Sequence, residues 1–131
     1  MRIKGQVVQG KRLGRTIGFP TANIEPFALP ERMPENGVYT AWLYLDGGKR
    51  RLACVLNQGR HPTVPEGPPT IEAHALDFSG DLYGQEAEAE YLEFLRPETA
   101  FASLEELKAQ IGRDCARARA WFAANTEDAE G

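Results

Sequence analysis

The segment from Gly10 to Asn23 holds the side chains best suited to binding a nucleotide. Gly10, Gly14 and Gly18 recur at every fourth position, and glycine lets the backbone approach a bulky anion because it has no Cβ atom. Arg15 lies inside this framework, where its guanidinium group can bind phosphate oxygens through two parallel hydrogen bonds. These residues predict a phosphate-binding loop, with an ordinary turn between two strands as the alternative.

A hydroxyl and an amide follow this loop at a spacing that suits a hard metal ion. Pro20 fixes its own φ angle and has no N–H group, so we expect the next residues to be irregular or extended. In an extended segment, residues two positions apart point to the same side, which brings Thr21 and Asn23 together. Their oxygen atoms are ligands that Mg²⁺ accepts while it shares its shell with substrate phosphates. The alternative is a local turn in which both side chains satisfy only nearby backbone groups.

Length and composition describe an ordinary globular domain. The 131 residues suffice for one core without disulfides or a structural metal, and 42% hydrophobic with 26% charged residues is typical. The net charge of −4 argues against nucleic acid as the main partner. No apolar run approaches the about 20 residues of a membrane helix, and the N-terminus lacks an apolar secretory segment. We therefore expect a cytoplasmic, monomeric protein with no membrane partner.

Five stretches of the sequence predict β-strands. They are residues 3–8, 37–45, 52–57, 70–78 and 86–95. Asp46, Gly47 and Gly48 predict a hairpin turn after the second stretch, since Asp and Gly tolerate positive φ angles. Residues 25–36 contain three prolines and predict an irregular connection.

The C-terminal part of the chain changes to helical periodicity. Ser103 and Glu106 form a capping box, in which the two residues satisfy each other's otherwise unpaired N–H groups. Apolar residues then recur along one stripe: Leu104, Leu107, Ile111, Cys115, Ala118 and Phe122. Cys115 and Cys54 match no zinc motif, so both are predicted to be buried thiols. Short strands before one long helix favour a small antiparallel barrel with the helix packed on it.

At the glycine loop the sequence resembles the riboflavin kinases, whose signature is Gly-Arg-x-x-Gly-Phe-Pro-Thr-Ala-Asn. The resemblance continues at matching intervals through Gly37-Val38-Tyr39, Asn57-x-Gly59, Pro62-Thr63, Glu72-x-His74-x-x-Asp77-Phe78, Asp81-Leu82-Tyr83-Gly84, Leu95-Arg96-Pro97, Phe101 and Asp114. It covers roughly residues 3–122. It implies an all-β dominated fold, a six-stranded antiparallel Greek-key β-barrel with a C-terminal α-helix. We expect residues 1–124 to form this domain and residues 125–131 to be a frayed acidic tail.

The same resemblance assigns roles around the nucleotide. Glu72 matches the catalytic Glu of the family, although its position in a strand also suits a solvated carboxylate. The nucleotide-binding positions of the family correspond to Gly10, Arg15, Gly18, Asp77 and Tyr83, and its Mg²⁺ ligands to Thr21 and Asn23. Asp77 could equally cap the turn that follows it.

Three further positions match the flavin-binding part of the family, namely Arg96, Thr99 and Phe101. Arg suits stacking on an aromatic plane and hydrogen bonding to carbonyl oxygens. Arg96 could equally be a surface charge before a proline, and Phe101 a core residue. His74 alternates with Glu72 on one face of a strand, and a structural role for it is favoured over a catalytic dyad.

The resemblance implies an ATP-dependent kinase that phosphorylates the ribityl 5′-hydroxyl of riboflavin, giving FMN and ADP with Mg²⁺ as cofactor. The sequence contains no His-x-Gly-His phosphate motif, so we expect this chain to stop at FMN. Two alternatives belong to other classes. One is a non-catalytic barrel that binds flavin or nucleotide in a regulatory role, and the other is a barrel that serves as a protein-interaction module.

Overall fold

A computed structural model of the chain describes residues 1–9, 18–60 and 68–125. Two predicted phosphate-loop residues, Gly10 and Arg15, lie outside the described residues. So do the Pro62-Thr63 segment and residues 126–131 of the predicted tail. The boundary predicted between residues 124 and 125 therefore stays a prediction.

Six strands and one long helix form the described part of the chain. They are β1 (Arg2–Val8), β2 (Ala22–Pro26), β3 (Gly37–Leu45), β4 (Arg50–Gly59), β5 (Thr70–Ala75), β6 (Glu86–Pro97) and α1 (Leu104–Asn125). The strands close into an antiparallel barrel in the order β1-β2-β5-β4-β3-β6. Within it, β3, β4 and β5 follow one another and β6 returns to lie beside β3, which is a Greek key. The predicted fold is confirmed.

Periodicity alone did not predict strand β2, and the irregular connection predicted from residue 25 was wrong for Glu25 and Pro26, which belong to this strand. Its five residues, Ala22–Pro26, stand between prolines and are too few to show a clear alternation. The strand exists because its backbone pairs with β1 on one side and β5 on the other. This pairing also makes the residues after Pro20 extended, as the sequence predicts.

Strand β5 ends at Ala75, three residues before the predicted end at residue 78. Arg119 of α1 causes a local constraint there, because its guanidinium donates hydrogen bonds to the Leu76 carbonyl and the Asp77 carboxylate, both at 2.7 Å. The Leu76 N–H still donates to the Ala53 carbonyl of β4 at 2.9 Å, but beyond it the chain turns towards α1, so tertiary contacts override the strand propensity of this segment.

The predicted turn between β3 and β4 is confirmed by its backbone angles. Asp46, Gly47 and Gly48 have φ values of 55°, 66° and 91°. This left-handed region favours glycine, which explains the two consecutive glycines at the tip.

Two apolar layers stabilise the fold, one inside the barrel and one between the barrel and α1. The interior is filled by inward residues of all six strands, among them Ile3, Ile24, Leu43, Leu56, Ile71 and Ala89. The second layer joins α1 to outward residues of the sheet through Val38, Val55, Leu95, Cys115, Ala118 and Phe122. Full burial of one such large side chain contributes about 1.5–3 kcal/mol, so the second layer holds the helix in place.

The start of α1 follows the predicted capping box with one difference. The Glu106 N–H donates to the Ser103 hydroxyl at 3.1 Å, as expected. The Glu106 carboxylate accepts from the Ala102 N–H at 3.2 Å, one residue before the predicted partner. Both predicted thiols, Cys54 and Cys115, are free and buried. No helix in the described part of the chain is long and apolar enough to cross a membrane.

Candidate active site

The pairing of three strands forms a polar row on the outer face of the barrel. Glu72 on β5 lies directly opposite Asn23 on β2 and opposite Asn57 on β4. The neighbouring residues Ile71 and Ala73 face the core, so Glu72 points outward, because successive strand residues alternate between faces. Paired residues share a face, which places both asparagine amides beside the Glu72 carboxylate.

Thr21 is connected directly to Glu72. Its hydroxyl donates a hydrogen bond to Oε1 of Glu72 at 3.1 Å in a partly buried position. Thr21 and Asn23 are the predicted metal ligands, and Glu72 is the predicted base. The fold therefore brings residues from two distant parts of the sequence into one site, because β2 and β5 are neighbours in the barrel.

The donor atoms at this site suit a hard divalent cation. Because Thr21 donates its hydrogen to Glu72, the lone pairs of its hydroxyl oxygen are available to a metal. Asn23 adds an amide two positions along the same segment. Among the described residues, no group of three or more His, Cys, Asp and Glu side chains could hold a metal. A cation here would take few protein ligands and complete its shell with water or phosphate, as Mg²⁺ commonly does.

Gly18 ends the predicted phosphate loop and has a φ angle of +92°. A Cβ atom built on it would meet nothing within 4 Å. The backbone angle, not lack of space, therefore requires glycine at this position. Its predicted contact with nucleotide stays a prediction, as do those of Gly10 and Arg15.

A cavity of about 550 Å³ opens beside the metal-ligand segment. Its wall includes Thr21, Asn23 and Tyr83, which are predicted metal and nucleotide residues. Tyr83 is 57% exposed, so its ring is available to a ligand. Asp77 is not among the described residues of this wall. Its carboxylate instead forms an ion pair with Arg119 at 2.7 Å, and its predicted nucleotide contact stays a prediction.

The predicted flavin residues lie together where β6 leads into α1. The Arg96 Nε donates to the two Asp114 carboxylate oxygens at 3.0 and 3.2 Å, and its Nη2 donates to one of them at 2.8 Å. The guanidinium carbon lies 5.6 Å from the centre of the Phe101 ring. The Thr99 hydroxyl donates to the Pro97 carbonyl at 3.2 Å. Arg96 is therefore held by the helix, with its guanidinium plane close to an aromatic side chain.

Glu72 and Arg96 lie on one continuous row of strand neighbours. Glu72 pairs with Asn57, Asn57 with Val38, and Val38 with Arg96. Three strand spacings of about 4.8 Å separate the ends of this row, or about 14 Å along the surface. The predicted base and the predicted flavin residue thus share one face of the barrel.

His74 contacts the segment that carries the predicted metal ligands. Its Nδ1 lies 2.7 Å from the Pro20 carbonyl oxygen, and its ring meets the Phe19 ring edge-on with centroids 5.5 Å apart. The contact made by Nδ1 is therefore to backbone and not to Glu72.

Three residues near the site received no role from the sequence. Asn57 and Asp114 belong to matching motif segments, but only strand pairing places Asn57 beside Glu72, and only helix packing places Asp114 on Arg96. The Glu98 carboxylate accepts a hydrogen bond from the Arg60 N–H at 3.0 Å, which joins the end of β4 to the end of β6. No local sequence signal reports such contacts, because their partners are far apart along the chain.

Comparison with known proteins identifies the family. The sequence profile of riboflavin kinase (Flavokinase) matches residues 1–122. This chain belongs to the riboflavin kinase family. The profile spans both the metal-ligand segment and the β6–α1 junction, so the whole candidate site lies within the matched region.

Relatives and solved structures support this membership. The bifunctional riboflavin kinase/FMN adenylyltransferase of Escherichia coli strain K12 is 45% identical over 120 residues, which cover 92% of this chain and 37% of that protein. The chain thus spans little more than a third of that relative. The riboflavin kinase of Trypanosoma brucei superposes with a TM-score of 0.65 at 25% identity, covering 95% of this chain and 80% of that one.

A third likeness is to a Streptococcus pneumoniae protein described as a macrolide-efflux protein. It superposes with a TM-score of 0.81 at 30% identity, covering 90% of this chain and 38% of that one. Family membership supports riboflavin phosphorylation to FMN, the activity predicted from the sequence. It gives no support to the non-catalytic alternative.

Proposed function

We propose that this chain transfers the γ-phosphoryl group of ATP to the ribityl 5′-hydroxyl of riboflavin, giving FMN and ADP. Membership of the riboflavin kinase family supports this activity. The observation that carries it within the structure is the hydrogen bond from Thr21 to Glu72. This bond connects a segment suited to a metal and phosphates with a carboxylate suited to receive a proton.

Glu72 acts as the general base in this proposal. An alcohol is a far weaker acid than a carboxylic acid, so Glu72 cannot remove the ribityl proton before bond formation begins. It orients the hydroxyl and accepts the proton while the new O–P bond forms and the bond to the β-phosphate oxygen breaks. ADP leaves with the electron pair of that broken bond. The transition state of phosphoryl transfer is loose, so the protein contributes mainly positioning and charge stabilisation.

Thr21 and Asn23 would hold Mg²⁺ at the edge of the cavity. When bound, this ion neutralises charge on the phosphate oxygens. Thr21 has a second task, because its hydroxyl also binds the Glu72 carboxylate. The hydrogen bond fixes the distance between the metal-ligand segment and the base, which a reaction that depends on positioning requires.

The two substrates approach from opposite sides of Glu72. The cavity beside Thr21, Asn23 and Tyr83 suits the nucleotide. The strand row that leads to Arg96 suits the flavin, with the ribityl chain near Glu72 and the ring system near Arg96 and its aromatic neighbour. The cytoplasmic location and the monomeric state stay predictions.

Turnover of riboflavin is the experiment that tests this function. The chain is incubated with riboflavin, ATP and Mg²⁺, and the flavins are separated by chromatography. We expect FMN to accumulate in proportion to enzyme concentration. Calorimetric titration with riboflavin and with Mg-ADP accompanies the assay. Binding of both ligands without FMN would instead identify a non-catalytic barrel, and binding of neither would favour an interaction module.

A further inference from the structure

His74 stands where the pairing between β2 and β5 stops. The last paired residues are Ala22 and Ala73, and extending this register by one residue places Thr21 opposite His74. Pro20, which precedes Thr21, has no N–H group and so cannot donate a hydrogen bond to the sheet. Beyond this point the segment is bound to β5 by a side chain instead of by strand pairing, because His74 binds the carbonyl of Pro20.

The hydrogen bond to Pro20 determines which ring nitrogen of His74 must carry a hydrogen. A carbonyl oxygen can only accept, so the Nδ1 atom, 2.7 Å from it, must carry the hydrogen. The Pro20 carbonyl belongs to the peptide that joins Pro20 to Thr21. Holding this oxygen therefore fixes the peptide plane from which Thr21 projects.

The ring is itself held in place by packing. Phe19 meets it edge-on at 5.5 Å between centroids with the planes at 79°. Phe19 in turn packs against the apolar layer between the barrel and α1. The orientation of His74 is thus set by that layer. Through its hydrogen bond to the Pro20 carbonyl, His74 in turn restrains the residues that precede β2.

Two alternate residues of β5 therefore bind two consecutive residues before β2. Glu72 accepts from the Thr21 hydroxyl, and His74 donates to the Pro20 carbonyl. We propose that His74 is a positioning residue, whose Nδ1–H holds the Pro20–Thr21 peptide so that Thr21 and Asn23 present their oxygens to the same cation. This role rests on the proposed function of Thr21 and Asn23 as Mg²⁺ ligands. It gives His74 no part in proton transfer.

Three variants separate the hydrogen bond from the ring. In His74→Asn the side-chain amide nitrogen is attached to Cγ, as Nδ1 is, so the donor stays at the same place. In His74→Gln the amide lies one atom further out, close to the position of Nε2. In His74→Phe the ring and its contact with Phe19 remain, but the donor is lost.

The first readout is the binding of ADP with and without Mg²⁺, measured by calorimetry, which needs no catalysis. We expect Mg²⁺ to strengthen ADP binding in the parent and in His74→Asn to the same degree within about threefold. In His74→Gln and His74→Phe the Mg²⁺ concentration for half-maximal enhancement should rise by about 10-fold. Riboflavin affinity should stay unchanged in all three, because the flavin row lies on the other side of Glu72.

The second readout is turnover at limiting and at saturating Mg²⁺. We expect His74→Phe to lose activity at limiting Mg²⁺ and to recover most of it at saturation. Equal Mg²⁺ dependence of His74→Phe and the parent would overturn the proposal, and so would equal losses in His74→Asn and His74→Phe. If His74→Phe does not fold, His74→Gln against His74→Asn decides. A parent that makes no FMN would refute the proposed function, while the ADP titrations would still decide the role of His74.

Discussion

The row of strand neighbours that joins Asn23 to Arg96 crosses two halves of the outer barrel surface, and the two halves differ in the side chains they carry and in their burial. On the open half, formed by β2 and β5, the row carries Asn23 and Glu72. On the covered half, where α1 packs on β3, β4 and β6, it carries Val38 and Arg96. Val38 is 3% exposed under α1, whereas Glu72 is only partly buried.

The covered half and the open half need different outward side chains, because one packs against a helix and the other must stay accessible to ligands. Under α1, outward residues are apolar or paired, because an unpaired polar group there would lose its hydration without compensation. On the open half, polar side chains keep access to ligands. The helix thus stabilises one half and, through Phe19 and His74, positions the other half without covering it.

The largest effect on the open half is expected from Glu72→Gln. Glutamine keeps the size of the side chain and an oxygen that accepts from Thr21, but it removes the basic carboxylate. We expect riboflavin and Mg-ATP to bind about as before, while turnover falls by a factor on the order of 10²–10⁴. Steady-state FMN formation and calorimetry measure the two quantities.

Glu25→Gln is the matched control, since Glu25 is exposed on the same outward face of β2. It should leave both binding and rate unchanged. If Glu72 were only a solvated strand residue, its variant would behave like this control. Turnover of Glu72→Gln within a few-fold of the parent would refute the assignment of a general base.

The covered half is tested by Asp114→Asn. Asp114 and Arg96 form an ion pair at 2.8 Å, with side chains only 6% and 18% exposed. Removing one charge leaves the other without its partner in a mostly buried position, so unfolding free energy should fall by about 3 kcal/mol. Urea unfolding followed by tryptophan fluorescence measures this loss.

Asp77→Asn provides the exposed counterpart, because Asp77 also joins the barrel to α1 through an arginine. The side chains of Asp77 and Arg119 are 79% and 51% exposed, so solvent screens the pair and the loss should stay below about 1 kcal/mol. Equal losses of unfolding free energy in the two variants would show that burial does not determine how much each ion pair contributes to stability.

A smaller effect on the open half is expected from Asn23→Ala. Loss of one neutral oxygen ligand should weaken the response to Mg²⁺ by about 10–100-fold, while the fold survives because Asn23 lies outside both apolar layers. FMN formation over a range of Mg²⁺ concentrations measures the change. Asn23→Asp, which keeps an oxygen at this position, should retain more activity. Near-normal turnover of Asn23→Ala at limiting Mg²⁺ would rule out the ligand role.

The last effect depends on pH and concerns the interior beneath both halves. Burial raises the pKa of the Cys54 thiol from 9.0 to about 12. Above pH 9 the unfolded chain loses this proton while the folded chain keeps it, so the contribution of Cys54 to stability declines as pH rises from about 9 towards 12. The decline amounts to at most about 1.4 kcal/mol per pH unit. Urea unfolding between pH 8 and pH 11 should show a flatter pH dependence for Cys54→Ala, and an unchanged slope would contradict this origin.

Much of the fold could be predicted from the sequence, because alternation and helical spacing are local properties. The hairpin from Gly37–Leu45 to Arg50–Gly59 follows from β-rich stretches around an Asp-Gly-Gly turn. The stripe that includes Cys115, Ala118 and Phe122 is the buried face of α1. The limits of β5 and the existence of β2 were not predictable from the same rules, since they depend on Arg119 and on two neighbouring strands.

The sequence by itself determined the family, five of the six strands with the C-terminal helix, and the residue types at the site. It did so because the Thr21–Asn23 spacing and the Glu72 segment are contiguous motifs. Only the tertiary structure decided that Glu72 lies between Asn23 and Asn57, that Asp114 holds Arg96, and that His74 binds Pro20. Those contacts arise when the barrel closes and α1 docks, and closure joins residues whose separation along the chain leaves no local pattern.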